Sequence, residues 1–269
     1  MDTSWHPPRL WRLLLALARG VVALLTRLRV TGDVPGHLRR GPLLLAANHI
    51  SPFDPVVLAA ACRDRGIAPR IMATGGLFRA PVIGAVMRHS GHIRVDRHGP
   101  RAAHAVHDAA DAVAGGSVVL VYPEGRISLD PGLWPERGKT GAARLALTSG
   151  ALVVPVVQWG SHEVLPYAAP RGALRAVVRA LWHRPVVRVH FGTPVDLSGL
   201  DVTIPGHARR ATDRIVDALV VELAPLRADE PHRPRHVDPS RPTDTTRAHP
   251  RPPLPTGRSA PTGAPDPSP

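Results

Sequence analysis

From about residue 42 to residue 223 the chain alternates short apolar runs with longer stretches in which apolar residues recur every three or four positions. The short runs predict strands at Pro42–Ala47, Arg70–Ala73, His92–Val95, Ser117–Tyr122, Leu152–Val157 and Val186–Phe191. The longer ones predict helices at Pro55–Arg65, Ala80–Arg88, Arg101–Ala114, Lys139–Ser149 and Pro205–Leu223. Several strands, such as LLLAA and VVLV, are apolar without alternation, as strands covered on both faces must be. The pattern predicts an α/β fold with a mainly parallel or mixed central sheet flanked by helices. No segment repeats at a fixed period.

The two ends of the chain read differently. On a helical wheel over residues 9–29, Arg9, Arg12, Arg19 and Arg27 share one face opposite Leu and Val, with Trp5 and Trp11 near the start. Residues 1–32 therefore read as a basic amphipathic segment of the kind that lies in a lipid headgroup layer; the competing reading is a helix packed on the core with a solvated arginine face. Arg19 interrupts the apolar run, which speaks against a spanning helix and against a signal peptide. Residues 228–269 are Pro, Arg, Thr, Ser and His with few large apolar side chains, and are expected to be disordered. The folded domain is placed at 33–227.

Charge narrows the partners. The formal net charge is +13, and residues 228–269 carry six Arg against five acids, so nearly all of the excess sits on the body. Such a surface suits an anionic membrane or a phosphorylated substrate. Nucleic acid fits less well, because aromatic residues make up 4% of the chain, Lys139 is its single lysine, and no zinc-finger or recognition-helix signature occurs. One cysteine, Cys62, excludes an internal disulfide framework or a cysteine-rich metal site and suits a reducing compartment.

The candidate chemistry starts at LLLAANHISPFDPVV, residues 43–57. A buried strand delivers Asn48 and His49 to its C-terminal end, where open α/β sheets hold ligands. Ser51 suits an N-cap, Pro52 a first helical position, and Asp54 the third residue of a capping box. The same turn would also let Asp54 accept the Nδ1 proton of His49, fix the tautomer and leave Nε2 free as a general base. At this junction both readings stand. No third ligand is near for a metal.

GHIRVDR at 91–97 and YPEGRIS at 122–128 place Arg97 and the Glu124-Gly125-Arg126 trio at further strand exits, and VVPVVQWG at 153–160 adds a buried strand. The ordered set NHISPFD, GHIRVDR, YPEGRIS and VVPVVQWG resembles the four blocks of the glycerolipid acyltransferases, in particular those of the 1-acyl-sn-glycerol-3-phosphate O-acyltransferase type. The resemblance covers roughly residues 42–160. It implies that His49 is the general base and Asp54 its orienting partner, with Asn48 and Ser51 among the substrate-binding residues. It further implies that Arg97 is a ligand of the acceptor phosphate and that Glu124, Gly125 and Arg126 form the acceptor loop. The implied reaction moves an acyl group from acyl-CoA or acyl-carrier protein to lysophosphatidic acid, giving phosphatidic acid, with no metal or organic cofactor. The implied location is the cytoplasmic face of the cell membrane.

The third block departs from the family's usual Pro-Glu-Gly-Thr-Arg-Ser, since Arg126 follows Gly125 directly. Lys139, at the predicted start of a helix, could compensate by placing an ammonium beside backbone N–H groups. Rival readings are a covalent route through Cys62, a membrane-binding protein on the same fold without turnover, and a nucleic-acid binder.

Overall fold

The computed structural model describes residues 5–96, 101–169 and 172–250, the first turn at 101–104 for its backbone alone. Seven strands form one sheet in the order β1-β7-β6-β2-β5-β3-β4. They are β1 (Arg27–Gly32), β2 (Leu43–Ala47), β3 (Arg70–Thr74), β4 (Ile93–Val95), β5 (Val118–Val121), β6 (Val153–Trp159) and β7 (Val186–Phe191). β6 and β7 pair antiparallel, and the other neighbouring pairs run parallel. The sheet is mixed and mostly parallel, and the C-terminal ends of β4, β3, β5, β2 and β6 share one edge.

The helices are α1 (Arg9–Leu25), α2 (Asp54–Asp64), α3 (Gly75–Arg79), α4 (Pro81–His89), α5 (Arg101–Ala114), α6 (Gly141–Ser149), α7 (Ala173–His183) and α8 (His207–Leu226). Alternate residues of the central strand divide the core. Leu43, Leu45 and Ala47 of β2 pack with α1 and α2, whereas Leu44 and Ala46 pack with α5, α6 and α8. Burial of both faces is what the unalternating apolar runs required.

Three assignments need correction. The segment read as one helix over 9–29 is a helix that stops at Leu25 and a strand that starts at Arg27, so Arg27 belongs to β1. Trp11, Leu15, Val22 and Leu25 turn the inner face of α1 onto the core, and Arg19 pairs with Asp64 of α2 at 2.8 Å. Helix α7 was not anticipated. The largest difference lies after α8: residues 228–250, expected to be disordered, fold back over the domain.

That return is held by buried polar contacts rather than apolar surface, which is why composition did not reveal it. Arg227, fully buried, lies between the rings of Trp134 and Trp159, 4.3 and 4.2 Å from their centroids. It donates to Gly132 O at 2.5 Å and to Glu230 O at 2.9 Å, and Trp159 Nε1 donates to Glu230 Oε1 at 2.7 Å. Replacing Arg227 by alanine removes two desolvated cation–π contacts and leaves carbonyls unpaired. It should lower stability by about 3 kcal/mol in urea unfolding.

Candidate active site

Asn48 and His49 leave β2 at the shared edge. Asn48 is fully buried: its Nδ2 donates to Gln158 O at 3.1 Å and its Oδ1 accepts from Gln158 N at 2.8 Å. It therefore fastens the exit of β2 to β6, and a direct substrate contact, as expected from the sequence, does not fit that geometry. Ser51 is also buried; its Oγ accepts from Phe53 N at 3.1 Å and donates to Leu165 O at 3.5 Å. It shapes the turn, and α2 begins at Asp54 with Phe53 at the N-cap, not with Ser51 there.

The carboxylate of Asp54 is fully buried and serves the turn and the ring at once. Its Oδ2 accepts from His49 Nδ1 at 2.8 Å, from Ile50 N at 2.6 Å and from Ser51 N at 2.8 Å. Its Oδ1 accepts from Ser161 Oγ at 2.5 Å. The two readings of this junction are thus one arrangement. An ionised carboxylate only accepts, so in the neutral ring the proton sits on Nδ1 and Nε2 keeps its lone pair. Nε2 has no partner among the described residues, and 16% of the His49 side chain remains exposed. Tyr122 stacks on the ring, 4.1 Å between centroids and 20° from parallel, and blocks tilting about the Asp54 contact.

Glu124 holds the neighbouring loop. Fully buried, it accepts from His49 N through Oε1 and from Glu136 N through Oε2, each at 2.9 Å. Burial pushes its carboxyl up from the ordinary 4.5 to about 8; the two backbone N–H groups pull the other way and do not overcome it. Gly125 follows with φ +68° and donates its N–H to Tyr122 O at 3.0 Å, a conformation that favours glycine. The stem of Lys139 runs past it, 3.3 Å from where a β-carbon would be. Lys139 is exposed and lies two residues ahead of α6, not within its first turn.

Arg126 turns away from this cradle. It donates to Glu136 at 2.7 and 2.8 Å and to Asp244 at 2.7 Å, and these carboxylates raise its pKa further. It is a structural ion-pair partner here, so the acceptor contact implied by its place in the loop is not what this geometry provides. Arg97 lies outside the described residues. Burial pushes the Cys62 thiol up to about 12, which leaves no thiolate for a covalent route. Two residues that sequence reasoning missed belong to the site. Tyr122 was read as a strand end, and Ser161 stands one residue beyond the last motif, carried over by Gly160 at φ +97°.

A family model described as Acyltransferase matches residues 27–159, from the start of β1 to the end of β6. This region is similar to the acyltransferase family. The chain is similar to the chloroplastic 1-acyl-sn-glycerol-3-phosphate acyltransferase BAT2 of Brassica napus, 29% identical over 58% of this chain and 43% of that one. It is also similar to the lyso-ornithine lipid O-acyltransferase of Rhizobium meliloti (strain 1021), 29% identical over 66% of this chain and 55% of that one. The chain thus matches about half the length of these curated relatives. Among solved structures, the 1-acyl-sn-glycerophosphate acyltransferase PlsC of Thermotoga maritima shares the fold, with a TM-score of 0.58 at 21% identity, covering 79% of each chain.

The raised carboxyl makes a prediction about stability. Between the unfolded value near 4.5 and the folded value of about 8, the folded domain binds more protons at Glu124 than the unfolded chain does. Its contribution is therefore fully present below pH 4.5 and is lost as pH rises through 8. In Glu124→Gln the melting temperature should be lower throughout, and the gap to the parent should narrow between pH 5 and pH 8. Parallel melting curves across that range would contradict the assignment.

Proposed function

We propose that this protein transfers a fatty acyl group from a thioester donor, acyl-CoA or acyl-carrier protein, to the free hydroxyl of 1-acylglycerol-3-phosphate, forming phosphatidic acid. The observation that carries the reading is the His49–Asp54 pair, with Nε2 unengaged at the open edge of the sheet. The acceptor hydroxyl gives its proton to Nε2 as its oxygen attacks the thioester carbonyl. The tetrahedral intermediate then expels the sulfur, which recovers that proton and leaves as a thiol. Asp54 stays ionised and stabilises the imidazolium between the two steps. The substrate hydroxyl is the nucleophile, so no acyl-enzyme is formed.

One observation favours a second acceptor class. Arg126 is already paired with Glu136 and Asp244, which removes a cation from the acceptor loop, and one relative is named for a lyso-ornithine lipid. A lysolipid without a phosphate head is the alternative acceptor on the same chemistry. A phosphate head would be held by Arg97 and Lys139 instead.

The site works at a membrane surface in this reading. No helix of the described residues is long and apolar enough to cross a membrane. α1 exposes Leu13, Leu17 and Leu24 along one side, and α7 exposes Leu174, Val178, Leu181 and Trp182, with exposed Arg175 and Arg179 among them. Arg184 joins the two helices by donating to Ala23 O at 2.6 Å and Thr26 O at 3.3 Å. Apolar stripes flanked by arginines suit an anionic headgroup layer.

Release of free thiol from acyl-CoA should require a lysolipid, and comparison of 1-acylglycerol-3-phosphate, glycerol-3-phosphate and a lysolipid lacking phosphate ranks the acceptors. His49→Ala should lower turnover at least about a thousandfold, and Cys62→Ala should leave it unchanged. Thiol release by His49→Ala at the parent rate would refute the mechanism. Leu174→Ser combined with Trp182→Ser should weaken co-sedimentation with anionic vesicles about tenfold while leaving turnover of a detergent-dispersed acceptor intact.

A further inference from the structure

Residues 238–248 lie across the two loops that carry His49 and Glu124, and their polar contacts fall on the backbone of those loops. Arg241 donates one N–H to Ser128 O at 2.7 Å and another to Ile50 O. Ser128 in turn donates its N–H to His49 O at 2.7 Å, so one guanidinium closes a ring of contacts around the residue next to the base. Asp244 takes up Arg126 and donates its own N–H to Leu129 O at 2.9 Å. Arg247 donates to Glu124 O at 2.8 Å and Arg137 O at 2.7 Å, and Arg137 N donates back to Arg247 O at 2.8 Å. The segment is held in place in turn: Asp238 accepts from Tyr167 N at 2.5 Å, and Arg241 lies 5.3 Å from the Tyr167 ring centroid.

We propose that this segment is a clamp on the catalytic turn and that Arg241 is a positioning residue for His49. Ile50 N and Ser51 N hold one side of the turn through Asp54, while on the other side Ile50 O is held by Arg241. Ile50 lies three residues beyond the end of β2, so its carbonyl has no ladder partner, and without Arg241 both Ile50 O and Ser128 O lose the guanidinium that pairs them. The two loops could then separate at the His49–Ser128 contact, swinging Nε2 away from the hydroxyl it must deprotonate. Arginine is suited to the task, because its planar fork reaches two carbonyls at once with fixed geometry, where a lysine ammonium reaches them without directional control.

The clamp rests on the proposed function for its catalytic consequence, but not for its structural one, and two measurements separate them. The first is amide hydrogen exchange of the full chain. Arg241→Ala should raise exchange at residues 49–54 and 126–129 about tenfold, with α5 and α6 unchanged. The second is steady-state kinetics of thiol release. Arg241→Ala should lower kcat about a hundredfold while KM for acyl-CoA moves less than about threefold, Arg241→Lys should recover part of kcat, and Arg235→Ala, a charge removed just ahead of the segment and outside the clamp, should match the parent. Unchanged exchange in Arg241→Ala overturns the clamp whatever the activity. Raised exchange with unchanged kcat overturns the positioning role. Loss of kcat in step with a general rise in exchange, and without rescue by lysine, assigns Arg241 to stability alone and also overturns it. If the parent itself releases no thiol with any lysolipid, the acyl-transfer reading fails and the exchange result still decides the clamp.

Discussion

A carboxylate withdrawn from water must have its lone pairs satisfied, and much of the local architecture follows from how Asp54 meets that demand. Its four donors come from three places: the His49 ring, the backbone at Ile50 and Ser51, and the Ser161 hydroxyl beyond β6. Supplying them brings the end of β2, the start of α2 and the end of β6 to one point. The tautomer of His49, the tightness of the turn and the docking of Ser161 are consequences of one electrostatic requirement. Fold and chemistry cannot be altered separately here.

A second buried acid repeats the principle at the next loop. Glu124 joins the backbone of His49 to that of Glu136, and Glu136 itself holds Arg126 at its other end. The loops over the sheet edge are thereby stitched through acidic side chains and main-chain amides. The guanidinium of Arg126 lies in this seam, where it meets Glu136 and Asp244.

The strands and helices around the site were legible because each carries a short apolar run or a clear helical period, and six of the seven strands fall within a residue or two of their expected places. β1 was missed although Arg27 and Arg29 alternate with Leu28 and Val30, because the helical period before it runs on without a breaker. The contact of Asp54 with His49 was one of two readings that the spacing left open, and the resemblance, not the spacing, grouped Glu124 with them. Ser161 was not legible, since a serine after glycine carries no pattern. Residues 228–250 read as disordered because composition measures apolar burial, whereas this stretch is held by Arg227 between two indoles and by arginines on carbonyls. Such contacts depend on partners more than a hundred residues away, as Arg241 with Ser128 and Arg247 with Glu124 show.

The reversal of β7 has a consequence for reach. Because β7 runs against β6, it starts at the edge where the parallel strands end, and α7 delivers the chain to that edge at His183. Trp182, 83% exposed, and Leu174, 79% exposed, belong to this helix, Trp182 at the end next to the edge. Drawing a lysolipid tail of a dozen methylenes out of a bilayer would cost roughly 10 kcal/mol. Under the proposed function, an apolar face on the helix that leads to this edge would let the tail stay dissolved in hydrocarbon while the polar head reaches the imidazole, and the search for an acceptor would become a walk in two dimensions.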